Sequence, residues 1–431
     1  MKFVLLFLGL VVITAPTYGQ FPRTRQVHPY SLDNVNKQVE NDLQSIQANS
    51  ILPGLQLYLP SWLKRWLPDI DRILSSSLNI LEGMPASVVS SSINKICSVA
   101  ITTGFLKPSY SIPEQRVALE LYTGNEVVEF PVGDVTRLLS HSGYNGNKNI
   151  TIFVTSWGAK SDEQDRDNIV YVLAQAYKKR GTDNFILFDV SDFVDTIYHW
   201  LTLDTRSIGR VLGDAIVRLS RNVPVSNIHI IGHDLGAHIA GNAGRRVQEV
   251  KRQQIARITA LDPPKICYDD SDGFYGIQPG DAEFVDVIHS NNDVLGKKNP
   301  VGDADFYPNG PIYLQPGCYD VVCSHKRAVL YYAESVVPGA ERNFLAQNCP
   351  SLSNMKKENC RGMKIPMGLA TPPSARGPYF LETNKEPSYG KDASSDYPYG
   401  QSTVLSASNA NDEGANTNAD QSLNENSEQA V

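Results

Sequence analysis

The chain has 431 residues, of which 41% are hydrophobic and 20% charged, and its formal net charge is −7. That is ample material for a large core, while the acidic balance and the lack of any long Lys/Arg block exclude the electrostatic footprint of a nucleic-acid binder. The even count of six cysteines in a chain that opens like an exported one argues for disulfides rather than a metal site.

Taken in order, Lys2 precedes an apolar run from Phe3 to Ile13 and then small, turn-forming residues, so residues 1–19 read as a secretory signal cleaved after Gly19. The run is too short to span a bilayer, and no later stretch approaches that length, so no transmembrane segment is expected. Residues 20–50 form a polar, Asn/Gln-rich extension with helical tendency from Asn34 to Ala48. Residues 51–390 have globular composition. The remainder, 391–431, has no Lys or Arg after Lys391 and almost no large apolar side chain. Such an acidic, Ser/Asn-rich tail buries too little surface to offset its ordering entropy and is expected to be disordered.

Within the globular region, Ile150–Val154 predicts a buried strand, followed by a helical stretch around Asp162–Lys179 and a second strand over Phe185–Asp189. Apolar residues three and four apart predict a helix from Ile208 to Leu219. Strands follow at Ile228–Ile231, Ile258–Leu261 and Phe284–Ile288, the first two separated by a helix. This alternation implies a mostly parallel central sheet covered by helices on both faces, an α/β architecture.

The most informative stretch runs from Asn227 to Gly241. An apolar strand enters Gly232-His233-Asp234-Leu235-Gly236 and passes directly into a helix of small residues, Ala237, Ala240 and Gly241. This is the strand–turn–helix of the nucleophile elbow, G-x-S-x-G, with Asp234 where the serine stands. Leu261-Asp262-Pro263 ends a strand in an acid, and Cys323-Ser324-His325 supplies a histidine in a loop pinned by a disulfide. The chain order of turn residue, acid and histidine is that of the α/β-hydrolase fold. His233 and His238 are read as packing residues of the elbow, since their spacing is not that of a helical zinc pair. No metal and no cofactor is expected.

Together with Asp303–Gly310 and Cys323–Ala328, these motifs resemble the animal lipase and phospholipase A1 family. The stretch Tyr332–Phe344 is similar to the lipase-derived yolk proteins, or vitellogenins, of higher flies. The resemblance covers roughly residues 51–390. It implies an α/β-hydrolase fold without a C-terminal β-sandwich, because only the polar tail follows Gly390. The retained Cys323-Ser324-His325 segment, which such yolk proteins usually lack, sets the chain between the two groups.

The resemblance assigns Asp234, Asp262 and His325 to the triad positions, and Ser156, Trp157 and Leu235 to the oxyanion positions. Where the family has His-Gly-aromatic, this chain has Thr155-Ser156-Trp157. Three outcomes are open for such a site. It is a pseudoenzyme with a structural Asp–His–Asp remnant, an Asp-nucleophile hydrolase of epoxides or halides, or a residual esterase or lipid-binding protein. The first is preferred, because attack by Asp234 on an ester would leave a high-energy mixed anhydride. The function expected is a secreted, extracellular yolk or storage protein, with lipase- or phospholipase-type ester hydrolysis as the alternative. Its partners would be an oocyte uptake receptor and a small apolar ligand or lipid, with oligomers left open.

Cys318–Cys323, enclosing four residues, and Cys349–Cys360, enclosing ten, are expected disulfides, whereas spacing does not decide whether Cys97 and Cys267 pair. The four residues between Cys318 and Cys323, where lipases carry a lid, are too few for an amphipathic flap. Asn149-Ile150-Thr151 is a glycosylation sequon at a strand entrance.

Overall fold

A computed structural model describes residues 112–392 apart from 125, 157–167, 195–198, 200–202, 266–275 and 358, together with Leu81, Ala86 and Val89. The expected signal, the N-terminal extension, the tail beyond Asp392, Trp157, Cys97 and Cys267 lie outside the described residues.

Eleven strands form one sheet: β1 (Ala118–Tyr122), β2 (Val127–Pro131), β3 (Asn149–Thr155), β4 (Asp183–Asp189), β5 (Ile228–His233), β6 (Arg257–Leu261), β7 (Phe284–Ile288), β8 (Ala304–Pro308), β9 (Leu345–Asn348), β10 (Lys364–Pro366) and β11 (Gly377–Leu381). Their spatial order is β10-β9-β11-β8-β7-β6-β5-β3-β4-β1-β2. The run from β4 through β3, β5, β6, β7 and β8 to β11 is parallel, and antiparallel strands close both edges. The mostly parallel sheet expected from the strand–helix alternation is therefore present.

Among the described residues the α-helices with both ends placed are α1 (Ile169–Arg180), α2 (Thr205–Leu219), α3 (Leu235–Lys251), α4 (Val321–Val336) and the short α5 (Leu352–Lys356). Local chemistry fixes their ends. Asn168 accepts from the amides of Val170 and Tyr171 at the start of α1, and Gly181 closes it with φ 73°. Asp204 caps α2 in the same way.

Alternation along β3 places its side chains in two cores. Ile150, Ile152 and Val154 join the face covered by α2 and α3 with Leu212, Ile216, Ile239 and Val247. Phe153 joins the opposite face, where Leu173 and Tyr177 of α1 meet Val329 and Tyr332 of α4. The central strands are almost wholly buried because helices cover both of their faces.

Three elements differ from the sequence reading. His325 lies not in a loop but in the first turns of α4, whose preceding loop the disulfide closes. Cooperative packing of Val321, Val322, Ala328 and Val329 extends the helix over residues that local pattern left open. Strand β8 and the edge pairs β1–β2 and β9–β10 arise from long-range pairing partners rather than from a distinctive local pattern.

Candidate functional site

The site lies at the carboxyl ends of adjacent parallel strands, where an open α/β sheet brings loops and helix starts together. Strand β5 ends at His233, and α3 begins at Leu235. Asp234 forms the whole turn between them, with φ 55° and ψ −133°. A non-glycine residue in that region of backbone space is strained and is held there by its surroundings. The neighbouring glycines allow the geometry. A β-carbon on Gly232 would lie 2.5 Å from the Gly236 carbonyl oxygen, and one on Gly236 would collide with the carbonyl of Val154 on β3.

Strand β6 delivers Asp262 one residue past its end, also at positive φ, 46°. Its Oδ1 accepts from the backbone amides of Ser290 (2.8 Å) and Asn291 (2.9 Å), just beyond β7. Its Oδ2 accepts from His325 Nδ1 at 2.5 Å. On the other side of the ring, His325 Nε2 makes an ion-pair contact with Asp234 Oδ1 at 3.2 Å. Asp234 Oδ2 in turn accepts from the Ser156 hydroxyl at 2.7 Å. Asp234, Asp262 and His325 expose none of their surface.

These contacts form one buried line: Ser156, Asp234, His325, Asp262. Burial by itself opposes a charged imidazole, but hydrogen bonding and attraction from Asp234 and Asp262 outweigh it and raise His325 to about 9. Burial likewise opposes the Asp234 charge, yet His325, with smaller help from His233 and the Leu235 amide, holds that carboxyl down to about 2. At neutral pH this raised value makes the ring an imidazolium, which donates from Nδ1 to Asp262 and sets Nε2 in ion-pair contact with Asp234. An imidazolium has no lone pair with which to take a proton from a nucleophile.

The neighbouring histidines are neutral. The His233 ring centre stands 4.5 Å from that of His325, and burial together with the charge on His325 lowers His233 to about 3. His238 Nε2 donates to the Pro264 carbonyl at 2.9 Å, while its Nδ1 accepts from the Ile277 amide at 3.1 Å. Burial, then the positive charge of Lys297, lowers it to about 3. Its two ring nitrogens are thus committed to backbone groups, as expected of a packing residue.

The structure brings together Asp234, Asp262, His325, Ser156 and Leu235 from four separate segments. It also joins Cys318 to Cys323 (S–S 2.04 Å) and Cys349 to Cys360 (1.92 Å). Between the first pair, Tyr319 is 83% exposed, Asp320 caps α4 by accepting from the Cys323 amide at 2.8 Å, and Val321 already begins the helix. Asn149 is exposed at the first position of β3. The sequence reading considered Ser156 only as a backbone donor and missed its hydroxyl contact with Asp234. It also missed Ser290 and Asn291, whose only local signal is their position directly after an apolar strand.

Similarity to known proteins agrees with this geometry. The chain is 29% identical over 365 residues to Vitellogenin-2 of Ceratitis capitata, covering 76% of this chain and 86% of that protein. It is 36% identical over 253 residues to Vitellogenin-1 of the same species, covering 58% of this chain and 57% of that one. Phospholipase A1 of Vespula vulgaris is 39% identical over 138 residues, 31% of this chain and 40% of the wasp protein. A family model described as Lipase matches residues 111–389, the span that contains the whole sheet, the elbow, Asp262 and His325. With its parallel sheet and its strand–turn–helix elbow, the chain belongs to the lipase family and has the α/β-hydrolase fold.

Proposed function

We propose that this chain is a secreted yolk or storage protein, a vitellogenin-like nutrient reservoir on a catalytically disabled lipase fold. The observation that carries this reading is the clamping of His325 between two buried carboxylates. A serine hydrolase needs a neutral imidazole to deprotonate its hydroxyl. Here the position that would hold the hydroxyl carries the Asp234 carboxylate, and the base is already charged. A carboxylate attacking an ester carbonyl would produce a mixed anhydride, which stores rather than releases the energy of the ester. Full burial of Asp234 removes it further from any substrate.

A reservoir needs solubility, uptake and digestibility, and none of these requires a working nucleophile. The similarity to fly vitellogenins over much of the chain supports that role. An oocyte receptor would take the protein up, with a small apolar ligand or lipid carried in the former acyl groove. The acidic tail and Asn/Gln-rich extension would add nitrogen to such a reserve.

The test has two arms. Purified protein is expected to hydrolyse neither p-nitrophenyl esters nor triglyceride nor phospholipid, and immunostaining is expected to find it in the yolk granules of developing oocytes. Turnover abolished by His325→Ala, or protein confined to gut or salivary fluid, would overturn the proposal.

A further inference from the structure

The Asp234 carboxylate is held as a bound carboxylic acid anion would be. One oxygen, Oδ2, takes a 2.7 Å hydrogen bond from the Ser156 hydroxyl, and the other faces His325 Nε2 at 3.2 Å. The start of α3, at Leu235, presents its positive end to the same group. All of these groups are buried, Ser156 being 1% exposed and His325 wholly covered, so the donors are shielded from bulk solvent. Asp262 holds the far side of the His325 ring at 2.5 Å and is itself fixed by the Ser290 and Asn291 amides. The cationic ring therefore cannot turn away to another acceptor without breaking that bond.

We propose that Ser156 Oγ and His325 Nε2 form a buried carboxylate-binding site that the side chain of Asp234 occupies as a built-in ligand. This rests on the reading of the site as inert and narrows what the protein can carry. The anion position is filled, so an ionised fatty-acid head cannot take the place between Ser156 and His325. Deleting the Asp234 side chain would uncover the site for a free monocarboxylate of the same size. Acetate has the same heavy atoms as the deleted group.

The test uses the full chain and acetate as the probe. Asp234→Gly suits the positive φ of the turn and removes the carboxylate, whereas Asp234→Asn keeps the volume without the charge. Acetate at tens of millimolar, against chloride at equal ionic strength, is expected to raise the Tm of D234G by several degrees. It should leave wild type and D234N unmoved, because only a native-state ligand stabilises by mass action. An equal response in all three proteins, or none in D234G, overturns the proposal. If D234G does not fold, 15N-histidine NMR of wild type decides. His325 doubly protonated at pH 7.5 is expected, and a neutral ring there removes the cation on which the site depends. Neither outcome depends on whether the protein is found in yolk, so failure here is separable from failure of the storage reading.

Discussion

Ser156 and Asp234, 78 residues apart, meet through a 2.7 Å hydrogen bond between the Ser156 hydroxyl and Asp234 Oδ2. The bond ties the end of β3 to the turn between β5 and α3, and it commits the Ser156 hydroxyl to a carboxylate. Asp234→Ser should therefore restore at most weak ester hydrolysis. Loss of a single oxyanion donor lowers the rate by about 10²–10³-fold in known hydrolases, and this strand has Thr155-Ser156 where the family has His-Gly. A p-nitrophenyl ester assay of the single variant gives the answer. Turnover near that of a working lipase would show that the strand end is competent as it stands.

Stability should carry the signature of the charged line. His325, raised to about 9 from 6.5, binds its proton more tightly in the folded state. Its contribution is complete below pH 6.5 and is lost as pH rises through about 9. Asp234, lowered to about 2 from 3.8, contributes fully above pH 3.8 and loses that contribution as pH falls through about 2. The stability difference between wild type and Asp234→Asn is expected to be largest between these limits and to shrink toward alkaline pH. Urea titrations across the range would measure it, and a difference that stays constant from pH 6 to pH 10 would contradict the assignment.

Removal of Asp262 should be more damaging than its distance from any surface function suggests. Its carboxylate satisfies the Ser290 and Asn291 amides and one side of the His325 ring, all fully buried. Breaking a buried ion pair while leaving its partner charged costs about 3–5 kcal/mol, and Asp262→Ala is expected in that range by chemical denaturation. A loss below about 1 kcal/mol, the usual value of an exposed pair, would mean that the line bears no structural weight.

Gly236→Ala is expected to cost about 3 kcal/mol or more and to lower the yield of folded protein. A β-carbon there meets the Val154 carbonyl, and backbone on a central strand cannot withdraw as a flexible side chain would. Thermal unfolding against Gly124→Ala, where nothing lies within 4 Å of the added carbon, supplies the control.

Replacing Cys318 and Cys323 by serine should lower stability by about 2 kcal/mol on the chain-entropy argument for so short a loop. It should also loosen the first turn of α4, since Asp320, inside the loop, caps that helix through the Cys323 amide. Amide exchange at residues 323–326 would report the loosening, and unchanged protection would separate the disulfide from the positioning of His325.

The elbow was legible in the sequence because its requirements are local. A strand must turn into a helix within one residue, and only small neighbours such as Gly232, Gly236 and Ala237 permit that approach. The parallel strands were legible for the same reason, since burial on both faces leaves continuous apolar runs. Where elements depend on distant partners, the reading weakened. By local pattern His325 reads as a loop residue, because the helical face of α4 is defined by what packs on it, Tyr177 and Phe344 among its buried neighbours, and not by a sharp local period.

Residue order alone puts an acid at the turn, a second acid after an apolar strand and a histidine two residues past Cys323. It did not determine their charge states. Those depend on burial and on distances of a few ångströms between segments tens of residues apart, quantities set only when β3, β5, β6 and α4 converge. Tertiary structure decided that Ser156 bonds Asp234 through its side chain, and that His325 lies between two carboxylates that keep it protonated.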